Sequence, residues 1–314
     1  MSPQKTAVCQ VSDLREGQMK PFKAAGKKIL LARYGGDFWA IAPNCTHFGA
    51  PLEKGVVGQG RVVCPWHNAC FSLKSGSIVE PPGRNDLASY PVQVEGDTVY
   101  VEVSDAGSQV VPLMASYAPD QDDRTFVIVG GGAAGNAAAE SLRKEGYQGR
   151  IVILSADSEL PYDRTALSKH YLQSDSVDEA SLLRSDDFYQ EHSIEIKTGV
   201  AVHQLNLDSR QVTYGDGETL TYDALLLATG GKVQELPIPG MDLANVFTLR
   251  RTADAQHILA TAKDSQRAVI IGSGFIGMEV ASSLRQQGLE VTVVASSEVP
   301  FKKVLGEQVG QMFQ

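Results

Sequence analysis

Residues 126–135 read FVIVGGGAAG, and this stretch decides the fold. Phe126–Val129 is a continuous apolar run of the kind buried on both faces of a parallel sheet. It leads into glycines, then an Ala-rich helical stretch, Ala133–Glu145, then a second apolar run, Ile151–Leu154, which together make a βαβ unit. With Gly130, Gly132 and Gly135 so spaced, the first glycine makes the turn, the second admits a pyrophosphate and the third lets helix pack on strand. The helix N-terminus then faces the anion. The pattern returns at Ala268–Ile271, Phe275–Gln287 and Val291–Val294, with the turn Gly272-Ser273-Gly274-Phe275-Ile276-Gly277. Two such turns predict α/β doubly wound FAD- and NAD(P)-binding domains, because two nucleotide sites in one chain suit a flavin plus a nicotinamide.

The rest of the composition bounds the answer. A length of 314 residues with 43% hydrophobic residues suits two domains, or three, with ordinary cores. No apolar run reaches the roughly 18 residues of a membrane span; the longest stretches, Ala224–Gly231 and Ala268–Ala281, are short or broken by glycine. The opening MSPQKTAVCQVSDLREG carries acids and has no secretory pattern, so a cytoplasmic location is expected. A net charge of −9 gives no electrostatic reason to bind nucleic acid or anionic lipid. Four cysteines are too few for a disulfide scaffold.

Residues 5–103 read differently, as short strands joined by turns. Lys27–Ala32 and Phe38–Ala42 flank Tyr34-Gly35-Gly36-Asp37, and Pro91–Glu95 and Thr98–Val103 flank Gly96-Asp97. Between this all-β block and the first βαβ unit lies SDAGSQVVPLMASYAPDQDD, without periodicity and with two prolines. The expected division is a β-domain over 1–104, a linker over 105–123, the first part of a flavin domain over 124–241 and an incomplete nicotinamide domain over 242–314.

The β-block carries Cys45-Thr46-His47 and, after sixteen intervening residues, Cys64-Pro65-Trp66-His67. This pairing predicts a metal centre held by Cys45, His47, Cys64 and His67. Structural zinc is the competing reading, but zinc fingers usually pair Cys with Cys and His with His. One of each from either loop suits a two-iron cluster, with both thiolates on one iron and both imidazoles on the other. CTHFGAPL…CPWHNACF resembles the ligand loops of Rieske [2Fe–2S] domains of the ferredoxin type. The resemblance implies a potential low in the Rieske range. Ala50 and Trp66 stand where high-potential members carry a disulfide, and Ala69 and Phe71 where they carry hydroxyls. Cys9 and Cys70 are read as packing or surface residues.

Aligned strand on strand, the two βαβ units put Ser155 and Ala295 where an acid would hold ribose hydroxyls. Asp157 and Glu298 are the nearest acids, and Asp157 is the candidate ribose ligand of the first site. Ala295 leaves NADH against NADPH open. With no Arg nearby, and Lys302 and Lys303 further along, there is a weak preference for NADH.

The residues between the turns carry a second resemblance. Leu160-Pro161-Tyr162-Asp163-Arg164 with Leu167-Ser168-Lys169, then Thr198–Val202, Ala228-Thr229-Gly230-Gly231 and Leu236–Gly240, are similar to segments of the ferredoxin-reductase flavoproteins related to apoptosis-inducing factor. That resemblance implies that Arg164 and Lys169 approach the flavin and that Val202 lies at the adenine. It further implies that Thr229-Gly230 marks the crossing to the nicotinamide half. Phe275 and Ile276 belong to the second nucleotide turn, and Glu279 matches an acid near the nicotinamide, so Lys169 and Glu279 are the catalytic candidates. Thr165-Ala166 stands where the family often has prolines, which is expected to loosen that turn. No Cys-x4-Cys lies near the first βαβ unit, which excludes the disulfide-reductase branch.

Together the two halves resemble the Rieske-bearing, apoptosis-inducing-factor-like oxidoreductases. The resemblance implies electron transfer from NAD(P)H through FAD to the [2Fe–2S] cluster and on to an oxygenase, a cytochrome or a quinone. The alternatives are the reductase part of a nitrite-reducing system and a non-catalytic redox sensor or scaffold. In the flavoprotein family the chain returns from the nicotinamide domain to complete the flavin domain. These residues are therefore expected to be an N-terminal portion of a longer protein, holding FAD weakly.

Overall fold

The computed structural model describes residues 4–103, 114–174 and 181–314. The chain divides into two compact units, Met1–Leu113 and Met114–Gln314.

The first unit is three antiparallel sheets. β1 (Gln4–Gln10), β2 (Met19–Ala24), β3 (Lys27–Tyr34) and β4 (Asp37–Ile41) are followed by β5 (Val56–Gly58), β6 (Arg61–Val63), β7 (Cys70–Ser72) and β8 (Ile78–Glu80). β9 (Ser89–Tyr90), β10 (Val92–Glu95) and β11 (Thr98–Val103) complete it. The sheet orders are β1-β11-β10, β2-β3-β4-β9 and β5-β6-β7-β8. The β3–β4 hairpin falls where the sequence places it, with Tyr34 opposite Asp37. Gly35 and Gly36 both take positive φ, 67° and 85°, as a two-residue hairpin turn with strand-matched twist requires. The Glu16 carboxylate accepts from both glycine N–H groups and pins the turn. Along β11, Val99, Val101 and Val103 are buried while their neighbours are half-exposed, the period of two expected of a one-sided sheet.

The expected linker, residues 105–123, divides into two parts. Residues 104–113 lie outside the described residues. Residues 114–123 belong to the second unit: Ala115 N–H donates to the Arg143 carbonyl (2.8 Å) and Ala118 N–H to that of Gln148 (2.9 Å). A segment held by hydrogen bonds to carbonyls of α1 and of the turn after it leaves no periodic pattern to read.

The second unit begins with a parallel sheet of β12 (Thr125–Val129), β13 (Arg150–Leu154), β14 (Ile194–Lys197) and β18 (Ala224–Leu227), in the order β14-β13-β12-β18. Helix α1 (Ala133–Lys144) joins β12 to β13, and α2 (His170–Ser174) and α3 (Asp186–Glu191) precede β14. β15 (Val202–Asn206), β16 (Gln211–Tyr214) and β17 (Glu218–Thr221) form a separate antiparallel sheet. Alternation along β12 and β13 makes three layers. Val127, Val129, Val152 and Leu154 face Val212 and Tyr214 of the antiparallel sheet. Ile128, Ile151 and Ile153 face Ala139 of α1 and Tyr189 of α3. Both faces are covered, which is why these strands are continuously apolar.

The second βαβ unit follows α4 (Thr252–Lys263) and consists of β19 (Arg267–Ile271), α5 (Phe275–Gln286) and β20 (Glu290–Val294), parallel with Ile271 opposite Val294. Two short helices, α6 (Lys302–Leu305) and α7 (Glu307–Met312), come after it. Leu259 of α4 and Val280 and Leu284 of α5 pack against Leu167, Tyr171 and Leu172, so the second βαβ unit shares a core with α2 and the segment before it. Continuous apolarity predicts burial on both faces here too. The finding differs: Val269, Ile271 and Val294 are more than half exposed, because the helices pack against one face only.

Candidate functional site

The metal-ligand loops are built alike. In the first, Cys45 N–H donates to the Ala50 carbonyl (2.9 Å), and Gly49 N–H donates back to the Cys45 carbonyl (2.9 Å). In the second, Cys64 N–H donates to Ala69 (2.8 Å) and Asn68 N–H to Cys64 (3.3 Å). Each loop is closed by a residue in the left-handed region four positions after its cysteine, Gly49 at φ 72° and Asn68 at φ 62°. Asn tolerates that conformation better than other side chains, so the second loop turns without glycine.

The loops bring like donors together. The Nδ1 atoms of His47 and His67 lie 3.2 Å apart. The buried thiols of Cys45 and Cys64 are hydrogen-bonded to each other. Burial is the main reason the Cys45 thiol is pushed up to about 11; the His47 N–H, 3.5 Å from its Sγ, opposes the rise and the neighbouring Cys64 adds to it. Among the described residues no three His, Cys, Asp or Glu side chains are grouped to share one ion. Thiol stands with thiol and imidazole with imidazole, as a two-iron centre would need, with Cys45 and Cys64 for one iron and His47 and His67 for the other. The donor set therefore fits a Rieske cluster. The thiols are buried and His67 is exposed, flanked by Phe48 and Trp66, so the imidazole side faces solvent.

A third segment, not singled out in the sequence, laces the first loop. Thr46 Oγ1 donates to the Asn85 carbonyl (2.6 Å), and the Arg84 guanidinium lies 5.8 Å from the Phe48 ring centre. A Cβ on Gly83 would sit 2.8 Å from the Phe71 ring, so this approach needs glycine. Pro81-Pro82-Gly83 was the available signal.

At the first nucleotide turn the glycines have distinct reasons. A Cβ on Gly130 would stand 2.1 Å from the Ala228 carbonyl oxygen, and one on Gly135 2.0 Å from the Gly130 oxygen. Gly132 meets nothing within 4 Å and caps α1 without a side-chain bond, leaving its first N–H groups for a ligand. Gly131, a free position in the motif, is also constrained: a Cβ there would lie 2.6 Å from Ser155 Oγ. The second turn repeats the logic, with Gly277 needed against the Gly272 oxygen (2.1 Å) and Gly272 and Gly274 open. Phe275 and Ile276, both exposed, start α5 beside that open space.

Between the turns, charged residues converge. Lys169 Nζ lies 2.7 Å from Glu279 Oε2, and Ser168 Oγ donates to the same oxygen at 2.6 Å. The two catalytic candidates, 110 residues apart in the chain, are thus one ion pair. Asp157 lies between two cations: Arg164 donates to Oδ2, and Arg251 Nε is 3.3 Å from Oδ1. Arg164 also donates to the Arg250 carbonyl (2.6 Å). Gly230 takes φ 71°, a Cβ there would lie 3.2 Å from Arg250 Nη2, and Thr229 beside it is exposed. Val202 is half-buried at the start of β15. The turn at Thr165-Ala166, expected to be loose, is held as a 3-10 turn because Asp163 Oδ1 accepts from both Thr165 N–H (2.9 Å) and Oγ1 (2.7 Å). Ser168 lay in the Leu167-Ser168-Lys169 segment without a role assigned to it, and Arg250 and Arg251 had no motif to mark them.

The chain belongs to the pyridine nucleotide-disulphide oxidoreductase family, whose model matches residues 124–314, and it carries a Rieske [2Fe–2S] domain matched over residues 4–91. Its cysteines, at positions 9, 45, 64 and 70, all lie outside the residues that this family's model matches. The chain is 39% identical to human apoptosis-inducing factor 3 over 99% of its own length and 52% of the relative's. It is also 39% identical to the benzene 1,2-dioxygenase system ferredoxin–NAD(+) reductase subunit of Pseudomonas putida over 58% of this chain and 44% of that one. The covalent putidaredoxin reductase–putidaredoxin complex matches 60% of this chain and 46% of that chain, with a TM-score of 0.56 and 34% identity. The chain spans about half the length of the curated relatives it matches.

The open glycine supports a clean test. Gly274→Val fits the fold, having nothing within 4 Å, yet fills the space a nucleotide backbone approaches. The melting temperature is expected to stay put while KM for NAD(P)H rises about tenfold or more. Steady-state kinetics with an unchanged KM for both nucleotides would show that the site lies elsewhere.

Proposed function

We propose that this protein carries electrons from NAD(P)H through FAD to its Rieske cluster and on to an oxygenase, a cytochrome or a quinone. One observation carries the reading: separated thiol and imidazole pairs stand in the same chain as two open dinucleotide turns. When bound, FAD converts between the two-electron chemistry of a hydride donor and the one-electron chemistry of an iron–sulfur cluster. Cys45 and Cys64 hold one iron and His47 and His67 the other. Gly130, Gly132 and Gly135 receive the flavin nucleotide's pyrophosphate, with Val202 and Thr229-Gly230 along the rest of its length. Asp157 orients Arg164 toward the flavin and has acceptor capacity left for the ribose. Gly272, Gly274 and Gly277, with Phe275 and Ile276, receive the nicotinamide nucleotide. Glu279 and Ser168 fix the Lys169 ammonium, and Lys169 presents its positive charge where a hydride acceptor gains negative charge.

The covalent complex of putidaredoxin reductase with putidaredoxin joins a related flavoprotein to a separate electron carrier. A Rieske unit in the same chain as the reductase raises its effective concentration to about mM. Among the described residues no helix is long and apolar enough to cross a membrane. We place the protein in the cytoplasm, where NAD(P)H is supplied and thiols stay reduced.

Two measurements test the proposal. With NAD(P)H as donor, the protein is expected to reduce a one-electron acceptor such as a cytochrome; oxidation of neither nucleotide with any acceptor would favour the scaffold reading. Glu279→Gln, which releases Lys169 from its partner, is expected to slow flavin bleaching in rapid mixing by about tenfold to a hundredfold. An unaltered rate would remove the pair from the chemistry.

A further inference from the structure

The nicotinamide site lacks the acid that normally chooses its nucleotide. In a βαβ dinucleotide unit the adenosine ribose lies beside the end of the second strand, where a carboxylate takes the 2′-hydroxyl or a cation takes a 2′-phosphate. Here β20 ends at Val294 and Ala295 follows, with no side chain to accept a hydrogen bond. The next two residues, Ser296 and Ser297, are small and uncharged.

The chain then folds back toward the glycine turn. Val294 accepts from Gly272 N–H (2.8 Å), and Phe301 N–H donates to the Ser273 carbonyl (3.2 Å), so both ends of loop 295–301 are fixed to the turn itself. The Phe301 ring packs 4.9 Å from that of Phe275, the first residue of α5. Val299 is buried beneath the loop. This anchoring holds two opposite charges beside the strand end. Glu298 is the only acid in the loop, and its carboxylate lies 3.6 Å from Lys302 Nζ at the start of α6. The ammonium is also 3.5 Å from Glu307, so it stands between two carboxylates. Glu298 is 86% exposed and free to turn toward a ligand, as is the 39% exposed lysine.

From this geometry we infer that the Glu298–Lys302 pair is the specificity device of the nicotinamide site, and that it makes the site accept both NADH and NADPH. The inference rests on the proposed function, since it assigns the adenosine end of the same nucleotide. With NADH, Glu298 accepts from the ribose diol while Lys302 stays on Glu307. With NADPH, Glu298 alone would repel the 2′-phosphate, and Lys302 turns to it and offsets that repulsion. Each nucleotide therefore finds one favourable partner, and neither meets an uncompensated like charge.

The pair makes two substitutions act in opposite directions. Glu298→Gln removes the repulsion and is expected to move the NAD⁺/NADP⁺ affinity ratio about fivefold toward NADP⁺. Lys302→Ala is expected to move it about fivefold toward NAD⁺, the scale of one half-exposed charged contact. The measurement is calorimetric titration of the purified full chain with NAD⁺ and, separately, NADP⁺, which binds without turnover. Both side chains are solvent-facing, so both variants should fold as the parent does. Binding of neither nucleotide by the parent protein would overturn the proposed function and this inference with it. Binding of both, with a ratio that the two variants leave fixed or shift in the same direction, would overturn the inference alone.

Discussion

Replacing His67 by alanine is expected to abolish the electron paramagnetic resonance signal of a reduced two-iron cluster while NADH still bleaches the flavin. The separation follows from where the groups stand. His67 belongs to a loop closed on itself by the Cys64–Ala69 and Asn68–Cys64 bonds, in a unit with its own core. Its side chain is exposed, and its Nδ1 lies 3.2 Å from that of His47. On the proposed ligand set, removing it deletes one of two donors to one iron and leaves the core of the unit untouched. The glycine turns, Lys169 and Glu279 all lie in the other unit. Reduction of one-electron acceptors should fall to the background of flavin alone, a loss of about a hundredfold or more if the cluster is the obligatory exit. Undiminished acceptor reduction in this variant would make the Rieske unit a bystander.

Arg143→Leu should produce the largest loss of stability. Arg143 is fully buried at the end of α1, yet every donor it uses has an acceptor. Nε donates to the His192 carbonyl (2.8 Å), Nη1 to those of Tyr147 (2.7 Å) and Gly149 (2.9 Å), and Nη2 to Ser193 (2.9 Å). These carbonyls belong to the chain entering β13 and the chain entering β14, so one guanidinium ties two strand approaches to the helix behind the first glycine turn. Leucine roughly fills the aliphatic volume but leaves four carbonyls without a donor. Breaking a buried charged network of this kind costs about 3–5 kcal/mol. For a unit of this size that corresponds to a melting temperature lower by about 10 °C. The expectation for calorimetry of the variant is that large shift, with the cluster signal retained. A shift of only a degree or two would mean that water replaces the guanidinium readily.

What could be read from the sequence had local spacing behind it. Cys-x-His and Cys-x-x-His, like Gly130-x-Gly132-x-x-Gly135, are patterns within a single loop, and each loop folds as its spacing suggests. The remainder depended on contacts between distant residues. Gly131 looks like a free position until Ser155, at the end of the neighbouring strand, is placed against it. Arg143 reads as an ordinary basic residue at a helix end until four carbonyls from two later segments surround it. Thr165-Ala166 lost the rigidity of proline on paper, but the Asp163 cap, two residues earlier, restores it by hydrogen bonding. Likewise, residues 114–123 carry no pattern because their order comes from carbonyls on α1 and the turn after it.

The central claim is that one chain joins a nicotinamide-driven flavin to a two-iron centre held by two thiolates and two imidazoles. Its most direct test is metal, sulfide and flavin analysis of the purified protein, followed by electron paramagnetic resonance before and after anaerobic addition of NADH. The predicted result is two irons and two acid-labile sulfides, silent when oxidised, and, once FAD is supplied, a rhombic reduced-cluster signal that NADH alone brings out. One zinc without iron or sulfide, or a cluster that dithionite reduces and NADH with bound flavin does not, would contradict it.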